Sequence, residues 1–310
     1  MTHHMKFKSW GRGGLALVLF LEITVIFNGQ GVIDRAVRLG QEGQWDAALE
    51  VLLPEMSDAS VAQDANAWYV LGFIQKELYK TKETHDLDSP IRLEAVHSLQ
   101  RAAELRPSKE EDQKITAALD FLGRSFLRDA IDRVDGFTVG SDDEVLEAFG
   151  RYEAIMKSLN PNADVIEQKA DVYRYLGEAN GVLIQSTTGQ SEELEQQLFE
   201  RSVGHYQRAL QLIPGDYSGL YNLAITLYNQ GVRQLKRINH ETSMFELMEI
   251  QDVCVALFEQ SLTPMQLAHE LQPKRFETLK GLMTIHYALN QGDESEGYRK
   301  QIERLNANRP

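Results

Sequence analysis

The side chains best suited to catalysis or metal binding are one cysteine and eight histidines. Cys254 lies in the apolar run VCVALF, where a cysteine is typically a small buried hydrophobe rather than a reactive thiolate. No two histidines stand four residues apart, the spacing that lets two imidazoles share a metal ion on one helix face. A zinc site assembled from distant histidines remains open; the candidates are His85, His97, His205, His240, His269 and His286.

Three short acidic runs, at 110–112, 142–144 and 192–195, could in principle bind calcium. Each run falls at a predicted helix start, where the helix dipole favours negative charge, so we interpret them as solvated first turns. The sequence contains no phosphate-binding loop, dinucleotide fingerprint or serine elbow. We therefore predict no catalytic, cofactor-binding or metal-binding residue, and a protein that is not an enzyme.

Helices must position these side chains, and residues 171–214 show the helical pattern most clearly. Two stripes at helical spacing occur there, each combining small and large residues. The first is Tyr173, Leu176 and Gly177, and the second is Ser202, Tyr206 and Ala209, followed by Pro214. Small residues on both stripes allow two antiparallel helices to approach closely, while the larger side chains fill the space beside them.

The same pattern recurs along most of the chain. Second-helix stripes recur at Ala95, Leu99 and Ala102, at Ala148, Tyr152 and Ile155, and at Ser261, Met265 and Ala268. First-helix stripes recur at Trp68, Leu71 and Gly72, at Leu119, Leu122 and Gly123, at Leu220, Leu223 and Ala224, and at Leu279, Leu282 and Met283. Five prolines mark the unit ends in steps of 53, 54, 53 and 59 residues; they are Pro54, Pro107, Pro161, Pro214 and Pro273.

This recurring small-large-small pattern ending in proline resembles the tetratricopeptide repeat (TPR) family, in particular exported bacterial members with enlarged repeats. The resemblance implies an all-α fold, a right-handed α-solenoid of stacked antiparallel helix pairs. The units are longer than the usual TPR length of about 34 residues by roughly 20. We predict that the surplus lengthens both helices of each unit by two to three turns. Serine–glutamate capping boxes are predicted at Ser108, Ser141 and Ser243.

The predicted organisation is an N-terminal segment, 1–31, followed by a TPR-like helical repeat domain, 32–306. Its units span roughly 32–56, 62–107, 108–161, 162–214, 215–273 and 274–306. Lys6, Lys8 and Arg12 precede an apolar run at 15–27 and small residues at Gly29 and Gly31, which is the order of a secretory signal peptide. An uncleaved anchor is the alternative, although 13 residues are too few for a helix to span about 30 Å of hydrocarbon.

Charge restricts the class of partner. The formal net charge of −14 argues against nucleic acid, whose phosphates require a clustered excess of lysine and arginine. In the family that the chain resembles, the first helix of each unit lines a concave groove that binds protein or peptide. The resemblance therefore implies ten candidate groove residues; they are Tyr69, Phe73, Asp120, Arg124, Arg174, Tyr175, Glu178, Tyr221, Asn222 and Ile225.

We therefore predict a non-enzymatic protein–protein interaction scaffold without cofactors, exported to the periplasm or cell envelope of a bacterium. Its partner is a protein or peptide of unknown identity, and contact with a membrane is expected only through residues 1–31. Two alternatives remain open. One is a structural subunit of an envelope assembly held by its N-terminal segment, and the other is a metal-binding or catalytic protein built on a helical-repeat scaffold.

Overall fold

The computed structural model describes residues 30–105, 109–187 and 191–307. Within these ranges the chain forms thirteen α-helices, one short 3₁₀ helix, one π-helical turn and no β-strand. The prediction of an all-α chain is therefore confirmed. The predicted signal peptide lies almost entirely outside the described residues.

The chain divides into two compact units, Met1–Ala118 and Leu119–Pro310. In the first unit, α1 (Gln30–Gln41) pairs with α2 (Trp45–Leu52), and α4 (Ala65–Leu78) pairs with α5 (Pro90–Glu104). The short helix α3 (Ala59–Ala62) connects the two pairs. A core of apolar side chains from α1, α2, α3 and α4 is nearly inaccessible to solvent. The surplus residues of this unit form the π-turn Tyr79–Glu83 and the loop after it, so the expectation of longer helices is wrong here.

The remaining helices, except α12, are longer. They are α6 (Lys109–Asp135), α7 (Asp142–Leu159), α8 (Ile166–Thr187), α9 (Glu192–Leu212), α10 (Tyr217–Leu235), α11 (Met244–Leu271), α12 (Phe276–Ala288) and α13 (Gly292–Ala307). Helices α8 and α9, α10 and α11, and α12 and α13 form closely packed pairs. In this part of the chain the surplus residues do lengthen the helices, which reach 27 residues in α6 and 28 in α11.

The predicted second-helix stripes are buried, which is what brings the helices of each pair together. Ala95, Leu99 and Ala102 on α5 are 0% exposed, and Ser202 and Ala209 on α9 are equally buried. Prolines follow the helix ends closely: Pro161, Pro214 and Pro273 each come two residues after the last residue of a helix. A proline there cannot continue the helix, because it lacks the N–H that the next turn needs.

Glycines on the first helices allow the close approach. A Cβ on Gly72 would lie 2.7 Å from a carbon of Leu99, and one on Gly177 would lie 2.9 Å from the ring of Tyr206. The hydroxyl of Ser202 also donates a hydrogen bond to the carbonyl of Gly177 at 2.7 Å. The predicted fold class, antiparallel helix pairs in contact through small residues, is therefore confirmed.

The predicted helix caps have different outcomes. At Ser243 both halves of the capping box are present, because the Ser243 hydroxyl accepts from the backbone N–H of Glu246 while the Glu246 carboxylate accepts from that of Ser243. At Ser141 the prediction of a capping box is wrong. The Ser141 hydroxyl bonds Thr138 in the preceding loop, and Glu144 pairs with Arg133. Ser108 lies outside the described residues.

Candidate functional site

An open cleft of about 230 Å³ lies between α8 and α10, the first helices of two neighbouring pairs. The two helices run in the same direction. Arg174 on α8 contacts Asp216 immediately before α10, while Gln185 and Arg233 line the cleft toward the far ends of the same helices. From Asn222 to Arg233 the α10 wall extends about 16 Å, at 1.5 Å of rise per residue.

A second-helix side chain closes the bottom of the cleft. Tyr206 of α9 lies beneath it, 3% exposed, with its ring against Gly177. Burial and the neighbouring Glu178 carboxylate raise the pKa of the Tyr206 phenol, so it remains a neutral hydroxyl in the physiological range. The cleft therefore has an apolar floor with one uncharged polar group.

The walls carry polar side chains at regular helical intervals. Gln185, Asn222 and Asn229 offer carboxamides, which both donate and accept hydrogen bonds, and Thr226 adds a hydroxyl. Val182, which is 58% exposed, and Ile225 supply apolar surface between them.

The two ends differ in charge, with a carboxylate at Glu178 and a guanidinium at Arg233. The Arg233 Nε atom donates to the Gln230 side chain at 2.9 Å, and burial lowers the pKa of the guanidinium against the opposing effect of Glu195.

Three of the ten sequence-predicted groove residues line this cleft: Glu178, Asn222 and Ile225. Arg174 is engaged inside the chain instead. It forms an ion pair with Asp171, lies 3.4 Å from a carboxylate oxygen of Asp216, and stacks 4.9 Å from the ring centroid of Tyr175. Because Asp216 also caps α10 through the backbone N–H groups of residues 218 and 219, Arg174 ties α8 to the start of α10.

Tyr221 lies beside the cleft but does not line it. Its ring stacks on Tyr217 with centroids 6.1 Å apart, and the Tyr217 hydroxyl bonds Thr278 on α12 at 2.8 Å. Burial, with the neighbouring Tyr217, raises the pKa of Tyr221. These contacts join α10 to the next helix pair.

The other four predicted groove residues lie elsewhere. Asp120 and Arg124 form an ion pair on α6, with 2.7 Å between Oδ2 and Nε and side chains 38% and 61% exposed. That hydrogen bond raises the pKa of Arg124. Tyr69 and Phe73, in the first unit, lie 6.1 Å apart between ring centroids and line a small hollow with Trp45.

A buried polar cluster joins α7, α8 and α9, and no sequence pattern indicates it. Asp142 accepts hydrogen bonds from Asn180 at 2.8 Å and Arg201 at 2.9 Å, and its other contact is to His205 Nε2 at 2.7 Å. Burial alone would raise the pKa of Asp142, but these three partners outweigh it and lower the pKa from 3.8 to about 2. The residues are up to 63 positions apart in sequence, so no spacing could reveal the cluster.

The cysteine that could act chemically lies in the packed interior. Cys254 is 2% exposed, its thiol points to the Gly231 carbonyl at 3.3 Å, and burial raises the thiol pKa. Among the described residues, no three His, Cys, Asp or Glu side chains come close enough together to hold a metal ion. In the same part of the chain, no helix is both long and apolar enough to cross a membrane.

Comparison with family models gives no match, and neither does comparison with curated protein sequences. Among solved structures, the chain is similar to PilW, a type IV pilus biogenesis factor, with 13% identity and a TM-score of 0.30 over 92% of this chain and 96% of that one. It is also similar to the nuclear import adaptor Nro1, with 13% identity and a TM-score of 0.35 over 89% of this chain and 85% of that one.

A third similar structure is the TPR2AB domain of yeast Sti1 in complex with pHSP90, with 14% identity and a TM-score of 0.26 over 89% of this chain and 98% of that one. All three are TPR-type proteins, the class that the helix-pair pattern resembles. At these identities and TM-scores the similarities carry no conclusion about partners, and the assignment of a helical-repeat fold rests on the helix pairs themselves.

Proposed function

We propose that this chain is a non-enzymatic scaffold that binds an extended peptide segment of a partner protein in the cleft between α8 and α10. The observation that carries the proposal is the open cleft itself, which has a closed apolar floor and carboxamide-bearing walls. Its length of about 16 Å matches roughly five residues of extended chain at about 3.3 Å each. Carboxamides can pair with both the N–H and the C=O groups of such a chain.

The charged ends favour one direction of binding. A basic side chain of the peptide would lie near Glu178, and an acidic side chain or the terminal carboxylate would lie near Arg233. Guanidinium groups suit carboxylates because two parallel hydrogen bonds can form. Arg174 is not an anchor in this proposal, because its charge is already paired with Asp171 and Asp216.

Selection of peptides from a random displayed library against the full chain, followed by fluorescence anisotropy, tests the proposal. Thr226→Trp fills the cleft, so binding of a selected peptide should weaken about tenfold or more, as expected for loss of a central contact. Thr116→Trp is the matched control, because Thr116 is exposed on α6 and does not line the cleft. Undiminished binding by a folded Thr226→Trp protein would disprove the proposal.

We further propose export to the bacterial periplasm or cell envelope. The support is the basic, apolar and small order of residues 6–31. Mass spectrometry of the protein from its native host should find a chain that begins near Val32. A cytosolic form that retains Lys6 and Lys8 would contradict export, and an intact N-terminus in the membrane fraction would favour the anchored envelope subunit.

A further inference from the structure

The N-terminal half of α11 exposes a set of large apolar side chains, none of which lines the cleft. Met244 is 73% exposed, Phe245 70% and Met248 59%, with Val255 at 39%. The opposite face of the same helix is buried on α10, where the ring of Phe258 lies 2.5 Å from a Cβ position on Gly231. Within residues 244–253 no side chain is buried, and Leu247 and Ile250, on the side of Cys254 and Phe258, are half-buried. The exposed apolar side chains therefore lie where α11 has no buried residue.

These side chains form one surface. Met244, Met248 and Val255 stand at positions i, i+4 and i+11, which lie on a single stripe of an α-helix, and Phe245 is adjacent to it. Contiguous exposed apolar surface of this kind marks interaction sites, whereas single scattered apolar residues do not. Methionine also packs against partners of varied shape, because its side chain is unbranched and polarizable. We call this stripe the α11 face.

Acidic residues flank the α11 face. Residues 238–273 contain no lysine or arginine; their six acidic residues are Glu241, Glu246, Glu249, Asp252, Glu259 and Glu270. Asp252 lies four residues after Met248, and Glu259 lies four residues after Val255, so each carboxylate is one helical turn from an apolar side chain of the α11 face. Both are exposed, and within the described ranges neither forms an ion pair.

The backbone of the α11 face restricts what can dock there. A helix interior has its N–H and C=O groups bonded within itself, so it offers no edge to which an extended strand could add. A partner must satisfy its own backbone and present apolar side chains, which describes an amphipathic helix. The acidic flanks disfavour both a second copy of this surface and an anionic membrane, because like charges would face each other.

We propose that the α11 face docks a basic amphipathic helix of a partner protein, with its apolar side on Met244, Phe245 and Met248 and its lysines or arginines beside Asp252 and Glu259. This surface is separate from the peptide cleft and goes beyond the function proposed for it. The chain would thus hold one partner as an extended segment and another as a helix.

A fluorescently labelled amphipathic helical peptide of leucine and lysine, titrated with the full chain, tests the proposal by anisotropy. Binding should saturate and should weaken as salt rises, because the flanking charges are exposed. The double variant Met244→Gln with Met248→Gln should weaken binding about tenfold or more. Tyr287→Gln, at an equally exposed position on α12, should leave it unchanged.

A second variant tests the charges without altering the apolar stripe. Asp252→Lys with Glu259→Lys should weaken binding of the leucine–lysine peptide and strengthen binding of a leucine–glutamate peptide of the same pattern. Equal binding of both peptides by the unaltered chain would overturn the proposal, as would undiminished binding by the methionine variant. A dimer in sedimentation analysis that dissociates in the methionine variant would assign the face to a second copy instead. Methionine-dependent binding to anionic phospholipid vesicles would assign it to a membrane.

Discussion

At the scale of single residues, the contact between Gly177 and Tyr206 determines how closely α8 and α9 approach. A Cβ at Gly177 would meet ring carbons at 2.9 to 3.0 Å, closer than such atoms normally come. Tyr206 is also the floor of the proposed peptide cleft. One glycine therefore supports both the packing of the helix pair and the shape of the cleft.

We predict that Gly177→Leu destabilises the protein by about 1–3 kcal/mol, the usual effect of forcing extra volume into a packed interior. The free energy of unfolding measured by urea titration checks this. Gly204→Leu on α9 is the control, because a Cβ there meets nothing within 4 Å and leucine favours a helix more than glycine does. Equal stability of the two variants would show that Gly177 does not lie at a close helix contact.

Asp142 connects three helices and should make stability depend on pH. Its pKa is about 2 in the folded chain against 3.8 for an ordinary aspartate, so the unfolded chain binds the proton more readily. The stabilisation is therefore fully present above pH 3.8 and is lost as the pH falls toward 2. A shift of this size corresponds to roughly 2 kcal/mol.

We predict that Asp142→Asn lowers the free energy of unfolding at pH 7 by about 2 kcal/mol or more, because Arg201 and His205 lose their carboxylate. The difference from the unaltered protein should shrink between pH 4 and pH 2, as measured by urea titration at each pH. Asp143→Asn, at the exposed neighbouring position, should show no such dependence. A difference that stays constant with pH would mean that Asp142 is not the titrating group.

At the scale of helices and their ends, two serine–glutamate motifs with the same spacing have different structures. The cap at Ser243 satisfies backbone N–H groups at the start of α11, the helix that carries the apolar α11 face. The Ser141 hydroxyl bonds the preceding loop instead. The motif therefore correctly predicts a helix start at both serines, but it correctly predicts a side-chain cap only at Ser243.

We predict that Ser243→Ala lowers the free energy of unfolding by about 1 kcal/mol, the usual effect of removing an N-terminal cap. Ser141→Ala should cost less, because no N–H group of α7 depends on that hydroxyl. Thermal melting and urea titration of the two variants provide the comparison. A larger loss for Ser141→Ala would mean that its bonds to Thr138 matter more than the cap at Ser243.

At the scale of the whole molecule, the net charge of −14 is unevenly distributed along the chain. The region 238–273 holds six acidic residues and no lysine or arginine, and much of it is the exposed part of α11. The cleft between α8 and α10, by contrast, carries one carboxylate end and one guanidinium end. Different partner chemistries are therefore expected at the two surfaces.

The helix pairs and their contact stripes were predictable from the sequence for a physical reason. Contacts between the two helices of a pair repeat every three or four residues, so small residues such as Gly72, Gly177 and Ser202 leave a periodic signal. Prolines after helix ends leave a second local signal. Both signals arise from residues that are close together along the chain, so they can be read from a single sequence.

The tertiary structure decided which exposed residues share a surface and which are paired internally. Arginine and tyrosine are residue types common at binding surfaces, yet Arg174 pairs with Asp216 and Tyr221 stacks on Tyr217. Only the packing of neighbouring helices reveals these internal contacts. The partners of Asp142 come from helices up to 63 residues away. The exposure of Met244 and Met248 was equally unpredictable from the sequence, because apolar side chains of this type would suit a buried core just as well. Whether a neighbouring helix covers a given apolar side chain is determined by the assembled fold. No local sequence pattern encodes that exposure.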